Sequence, residues 1–138
     1  MKYRPETRAR VLAFQALCQL DAGSSWEDLS SFFTEAEEPV GTQGSALAHG
    51  AWEGRAELDG VLARHLENWS IPRLGVVERA ILRLGLYELL HGSGLPAAVV
   101  IDEAVRLAKR FGGDESAALV NAVLDKGKAL DHEPTKGR

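Results

Sequence analysis

"VVERAILRLGLYELLHG" (Val76–Gly92) decides the fold. Val77, Ala80, Ile81 and Leu84 recur at helical spacing on one side, and Leu82, Leu86 and Leu89 fill another. A helix that is apolar on most of its circumference has no broad face left for water, so other elements have to surround it. Its polar stripe is narrow and includes Arg79 and Arg83, one turn apart. The stretch predicts a central, buried helix whose cover must come from the flanking sequence.

That flanking sequence is helical wherever it is periodic. "SIPRLG" (70–75) before the central helix reads as a break with a short helical turn. After it, "SGLP" (93–96) leads into a helix that keeps Val100, Ala104, Leu107 and Phe111 inward. Arg106, Lys109 and Arg110 fall in its last turns, where the helix dipole favours cations. Gly112 is the expected stop, and Asp114 or a neighbour the cap of a last helix to about Leu130. Residues 132–138 are expected to be a flexible tail. At the other end, "PETRARVLAFQALCQLDAG" (5–23) opens on a first-turn proline and closes on a glycine suited to a helix end. Ser24 or Ser25 is expected to cap a short second helix carrying Trp26, Leu29, Phe32 and Phe33. "TEAEEPVGTQG" (34–44) reads as an acidic loop broken by Pro39 and Gly41. One long helix is then expected from about Gln43 to Asn68, with Leu47, Trp52, Leu58, Val61, Leu62, Leu66 and Trp69 as its apolar positions. Gly44, Gly50, Gly54 and Gly60 recur along it, either to permit close packing or to mark bends. No strand signal and no internal repeat interrupts the pattern, so the fold class is all-α, a single domain of about six to seven helices.

Composition narrows the function. The 138 residues suffice for one domain with a real core, and 45% apolar with 26% charged residues is ordinary for a soluble globular protein. No apolar run reaches the ~18–20 residues of a membrane span, and "MKYRPETRAR" is no secretory signal, so the cytoplasm is the default location. A single cysteine, Cys18, rules out an internal disulfide framework and a cysteine-based zinc cage. Net charge of −4 argues against a protein that coats nucleic acid indiscriminately. The charge is unevenly spread, however: Lys2, Arg4, Arg8 and Arg10 face only Glu6 in the first ten residues, while residues 24–67 hold nine acids and two bases. A basic end on an acidic body fits either a small nucleic-acid contact or a solvated helix end.

Enzyme chemistry finds no support. His49, His65, His91 and His132 lack metal-ligand spacing, and there is no GxGxxG, P-loop or GxSxG motif. "RFGGDESAALVNAVLDK" (Arg110–Lys126) concentrates Asp114, Glu115, Ser116 and Asn121, a density that could suggest catalysis. Its double glycine joins two helices instead of following a strand, and its acids suit a helix N-terminus. Asn121, set between Val120 and Val123, is expected to be a buried residue that satisfies backbone groups of a neighbouring helix. No catalytic residue, metal or cofactor is assigned.

Three stretches carry a resemblance: "TRARVLAFQALCQLD" (7–21), "NWSIPRLGVVERAILRLGLYELL" (68–90) and "LPAAVVIDEAVRLAKRFGGDESAALVNAVLDK" (95–126). Together they resemble the NusB family of bacterial transcription antitermination factors, most closely in the C-terminal half. The resemblance implies two small helical bundles packed together, about 1–70 and 71–131. It implies no enzyme, but a factor that binds single-stranded boxA RNA as a heterodimer with NusE, a ribosomal protein, and joins the RNA polymerase antitermination complex on ribosomal RNA operons. The positions matching the family's RNA contacts are Arg4, Arg8, Arg10, Gln15 and Arg83, with a salt bridge as the other reading of Arg83. Those matching its partner-protein surface are Cys18, Glu78, Glu115 and Leu119. The family usually has an aromatic at the position of Cys18, often Phe at Leu119, and Gly at Ala122. The competing reading is a protein-only helical adaptor, or a homodimer, with weak RNA binding. A ribosomal RNA methyltransferase would need a cofactor-binding βαβ unit that these residues do not contain.

Overall fold

A computed structural model describes residues 4–66, 70–91 and 94–130. Lys2, the apolar position Trp69 and the tail 132–138 lie outside the described residues. All regular elements among the described residues are helical: α1 Pro5–Asp21, α2 Ser30–Thr34, α3 Val40–Glu53, α4 Arg55–Ala63, α5 Val76–His91, α6 Ala97–Gly112 and α7 Asp114–Leu130, with a 3-10 turn at Ile71–Arg73. The all-α class and the helix number match the expectation. The broadest pairings are α1 on α3 and α6 on α7, and α5 lies against α1, α3, α4, α6 and α7. As its pattern requires, α5 is the central helix. Ile81, Leu82 and Leu86 are almost completely buried beside Leu17 of α1, Leu58 and Leu62 of α4, and Val120 and Leu124 of α7. Gly85 lets α7 come this close, because a Cβ there would stand 2.7 Å from Leu124 Cδ1.

The ends of α1 follow the sequence signals. Pro5 occupies its first turn. Gly23, at φ +109°, closes it: the Gly23 amide donates to Leu20 and the Ser24 amide to Gln19, each at 3.0 Å. Ser25 caps as expected but starts only a turn. Its hydroxyl accepts from the Asp28 amide at 3.1 Å while its amide donates to Asp28 Oδ2 at 2.9 Å, and α2 itself begins at Ser30. The hydrogen bonds from the Ser25 backbone and side chain hold the Asp28 carboxyl below its ordinary pKa.

The single long helix expected from Gln43 to Asn68 is instead two. α3 starts earlier, at Val40, because the Glu38 carboxylate takes the Thr42 amide at 3.1 Å and its hydroxyl at 3.0 Å, turning half of the expected loop into helix. It stops at Glu53, and Gly54 carries a non-helical φ/ψ of −93°/11°. Arg55 stabilises the break by donating to the Trp52 carbonyl at 2.6 Å with its guanidinium 3.9 Å over the Trp52 ring. The four recurring glycines therefore differ in role. Gly54 marks the bend, Gly60 faces open space, Gly44 brings α3 against Ala9 and Leu12 of α1, and Gly50 leaves room for the Tyr87 ring.

One further expectation is corrected. Asn121 is exposed, since α7 buries the stripe Ala117, Val120, Val123 and Leu124, and Asn121 is turned about 100° from Val120. At the α6–α7 junction, α6 includes Gly112, the expected stop, and is closed by Gly113 at φ +94°; the same Gly113, the neighbour of Asp114, caps α7 by accepting from the Ala117 amide at 3.0 Å, and Asp114 is the first helical residue.

Candidate functional site

The basic end of α1 divides between surface and core. Successive residues turn by about 100°, which puts Arg4, Arg8 and Gln15 on one face and Arg10 well away from it. Arg4 and Gln15 are exposed, and Arg8 is half-buried with Nη2 2.8 Å from Glu37. Arg10, expected as an RNA contact, is instead 7% exposed. Its Nε and Nη2 donate to the two carboxylate oxygens of Glu88 at 2.9 and 2.7 Å, and Nη1 lies 3.5 Å from Glu103. Burial pushes its pKa down, but the hydrogen bonds and charge of Glu88, with Glu103 and Glu6, hold it above the ordinary arginine value. The guanidinium joins α1, α5 and α6.

Arg83 resolves the same way, in favour of its salt bridge. Nε and Nη2 donate to Asp59 Oδ1 and Oδ2, both at 2.8 Å, and Nη1 stands 3.5 Å from Asp21. Here too burial lowers the pKa, and the hydrogen bonds and charges of Asp59 and Asp21 more than offset it. One turn earlier, Arg79 donates to Asp21 Oδ2 at 3.1 and 2.6 Å and to the carbonyls of Leu74 and Ile71. Asp21 thus ties the end of α1 to both cations of the α5 polar stripe. Arg10 and Arg83 are thus both buried and held in ion pairs.

The expected partner-protein residues converge better. Glu78 of α5 and Glu115 and Leu119 of α7 line one open depression of about 620 Å3, together with Leu74 and Ser116. The Ser116 hydroxyl contacts the Glu78 carboxylate as a hydrogen-bond donor and fixes its direction. Glu115 remains exposed. The result is a concave surface with an apolar patch and two carboxylates, suited to a basic protein. Cys18 does not line it; the half-buried thiol lies near Asp21 and Arg79.

The family model described as the NusB family matches residues 7–128. The chain belongs to the NusB family. The transcription antitermination protein NusB of Treponema denticola is 43% identical over 124 residues, covering 86% of this chain and 91% of that protein. The NusB structure from T. maritima aligns with a TM-score of 0.82 at 33% identity, over 94% of this chain and 93% of that one. A crystal structure of the antitermination factors NusB and NusE in complex with double-stranded RNA aligns with a TM-score of 0.83 at 28% identity, over 94% and 99% of the two chains. NusB proteins are antitermination factors, not enzymes. No helix among the described residues is long and apolar enough to cross a membrane, and no group of three metal-ligating side chains occurs among them.

In this NusB-family chain, sequence reading overlooked the seam between α1 and α6. The Thr7 hydroxyl donates to Glu103 Oε1 at 2.9 Å, and the Phe14 and Phe111 rings lie 4.9 Å apart. Arg106 and Arg110 stand along the seam, where their position at a helix C-terminus had been reason enough for their charge. Their four-residue spacing was the available signal, since it puts both on one face.

Burial, and then the charge of Asp21 against the opposing effect of Arg79, raises the Cys18 thiol to about 11. At pH 8 its reaction with a disulfide reagent is expected to run roughly a hundredfold slower in the folded chain than in denaturant. Equal rates in the two states would place the thiol in water. By linkage, the stabilisation from keeping this thiol neutral is complete below the ordinary thiol range and lost as pH rises through about 11.

Proposed function

We propose that this NusB-family chain is a cytoplasmic transcription antitermination factor. It pairs with NusE, and the pair binds single-stranded boxA-type RNA and acts within the RNA polymerase antitermination complex on ribosomal RNA operons. The observation that carries the reading is the convergence of Glu78 of α5 with Glu115 and Leu119, one turn apart on α7, on one depression. NusE is a ribosomal protein, and two carboxylates at an apolar patch suit a basic surface, giving register and fast association. Arg4, Arg8 and Gln15 supply the RNA-facing stripe of α1, with guanidinium groups for phosphates and an amide for a base edge. Arg10 and Arg83 act behind it as braces. Cys18, at the edge of the α1 surface, contributes to the NusE contact through packing alone, because its thiol stays neutral at physiological pH.

The test is calorimetric titration of the cognate NusE into the chain and into Glu115→Lys. The charge reversal is expected to weaken binding by about tenfold or more at low salt, and by less as salt screens it. Unchanged affinity in the variant would remove the depression from the interface. Commitment of Arg10 and Arg83 to internal ion pairs favours the second reading, a protein-only adaptor or homodimer with weak RNA binding. Under that reading the unaltered chain binds NusE or itself, and RNA only weakly.

A further inference from the structure

Resting on that reading, we propose that Ser116 is a positioning residue for the NusE contact. Its hydroxyl holds the Glu78 carboxylate on the depression between α5 and α7, ready to seat one lysine or arginine side chain of NusE.

The pairing is built into the fold. Ser116 is 4% exposed and Glu78 is half-buried, whereas Glu115 stands in water. The serine has one proton and two acceptors in reach, the Glu78 carboxylate and the Gly112 carbonyl at 3.2 Å. The carboxylate is the stronger acceptor, so the proton goes to Glu78. The backbone on both sides is bare. A Cβ at Gly75 would stand 2.5 Å from Glu78 Oε1, and one at Gly112 would stand 2.5 Å from the Ser116 hydroxyl oxygen. Two glycines from different segments thus leave room for one serine–glutamate pair. The atom met at Gly75 is the far end of a flexible side chain, so an alanine there moves the carboxylate at little cost to the fold.

The surroundings select a long cationic side chain as the occupant. Glu78 Oε2 faces the hydroxyl, and Oε1 accepts no hydrogen bond among the described residues, so it is the oxygen left for a partner. Neither Glu78 nor Glu115 is ion-paired among those residues, whereas the neighbouring Asp114 lies 3.7 Å from Lys109. Leu74 and Leu119 line the same depression. Lysine and arginine lay their methylene stems on apolar surface and carry their charge at the tip, which matches leucines beside a carboxylate. A glutamate already held in place gives up little further freedom on binding, and such short-range gains appear as slower dissociation. Glu115, at the exposed rim, acts at longer range on the rate of association.

The experiment follows association and dissociation of the full chain with its cognate NusE by surface plasmon resonance at several salt concentrations. Ser116→Ala, Gly75→Ala, Glu78→Gln and the double variant Ser116→Ala/Glu78→Gln are compared with the unaltered chain, and far-UV circular dichroism checks each fold. Ser116→Ala and Gly75→Ala are each expected to speed dissociation by about three- to tenfold, with the association rate and its salt dependence unchanged. In the Glu78→Gln background, Ser116→Ala is expected to add less than about twofold, a coupling that a merely structural serine would not show. If Ser116→Ala does not fold, Gly75→Ala decides alone, because it moves the carboxylate and keeps the hydroxyl. If Glu78→Gln weakens binding while Ser116→Ala and Gly75→Ala dissociate like the unaltered chain, Glu78 needs no positioning; the inference fails and the antitermination reading stands. Equal effects of Ser116→Ala in both backgrounds, or Glu78→Gln binding like the unaltered chain, overturn the inference as well. If the unaltered chain binds no NusE, the reading and this inference fall together.

Discussion

Arg10→Ala is expected to destabilise the fold by about 3–5 kcal/mol, the usual cost of leaving one member of a buried ion pair alone. The Arg10 side chain is 8% exposed and Glu88 3%, and the fork of two hydrogen bonds at 2.7 and 2.9 Å leaves Glu88 dependent on this one cation. Loss of Arg10 also removes its 3.5 Å approach to Glu103 and leaves the Thr7 hydroxyl as the remaining hydrogen bond from α1 to that acid, so the packing of α1 on both α5 and α6 weakens. Urea denaturation followed by far-UV circular dichroism reads the change as a lower midpoint at similar slope. The pair Arg10→Met with Glu88→Leu separates charge from packing. Replacing both ions by apolar groups of similar size is expected to restore most of the stability. An Arg10→Ala variant as stable as the parent would mean that the guanidinium sits at the surface after all.

Arg83→Ala is the second large effect, about 2–3 kcal/mol. It is smaller than for Arg10 because Asp59 keeps 27% of its side-chain surface in water. The loss would strand Asp59 and weaken the hold on Asp21, which also anchors Arg79. The informative companion is Asp59→Asn, which releases Arg83 without removing it. If Arg83 is a brace, Asp59→Asn destabilises the fold and leaves the RNA affinity of the folded chain unchanged. If its task is RNA, freeing the guanidinium tightens RNA binding. Both variants are compared by denaturation and by RNA titration under conditions where each is fully folded.

Much of the fold could be read in the residues because burial leaves a periodic mark. The apolar circumference of 76–91 placed α5 at the centre, and the Pro5 and Gly23 punctuation bounded α1 to within a residue or two. The errors share a cause: they depend on partners far away in sequence or on side chains acting as local caps. The break at Gly54 is stabilised by Arg55 on the Trp52 carbonyl, and the early start of α3 by Glu38, neither of which has a hydrophobic period. Asn121 looked buried because its neighbours are apolar, yet a helix turns each successive residue by about 100°.

The candidate site was legible in its residue types and less so in their roles. An arginine reads the same in sequence whether it meets a phosphate or a carboxylate 78 positions away, as Arg10 meets Glu88. Helical phase did set Arg10 apart from Arg4, Arg8 and Gln15, but Glu88 could not be paired with it without the tertiary fold. Glu78, Glu115 and Leu119 could be gathered in sequence only through the family resemblance, and the depression they share depends on how α5 and α7 pack.

The most direct test of RNA binding with NusE is fluorescence anisotropy of a labelled boxA-type RNA. The chain is titrated alone and with its cognate NusE between about 50 and 200 mM salt, the range over which phosphate contacts change affinity most visibly. The expected result is weak binding by the chain alone and much tighter binding with NusE. The log–log salt slope should be about −0.7 for each phosphate contact, and Arg4→Ala/Arg8→Ala should make it shallower. A NusE heterodimer that forms normally and shows no affinity for the RNA at any salt concentration would contradict the antitermination reading and leave the protein-only adaptor in its place.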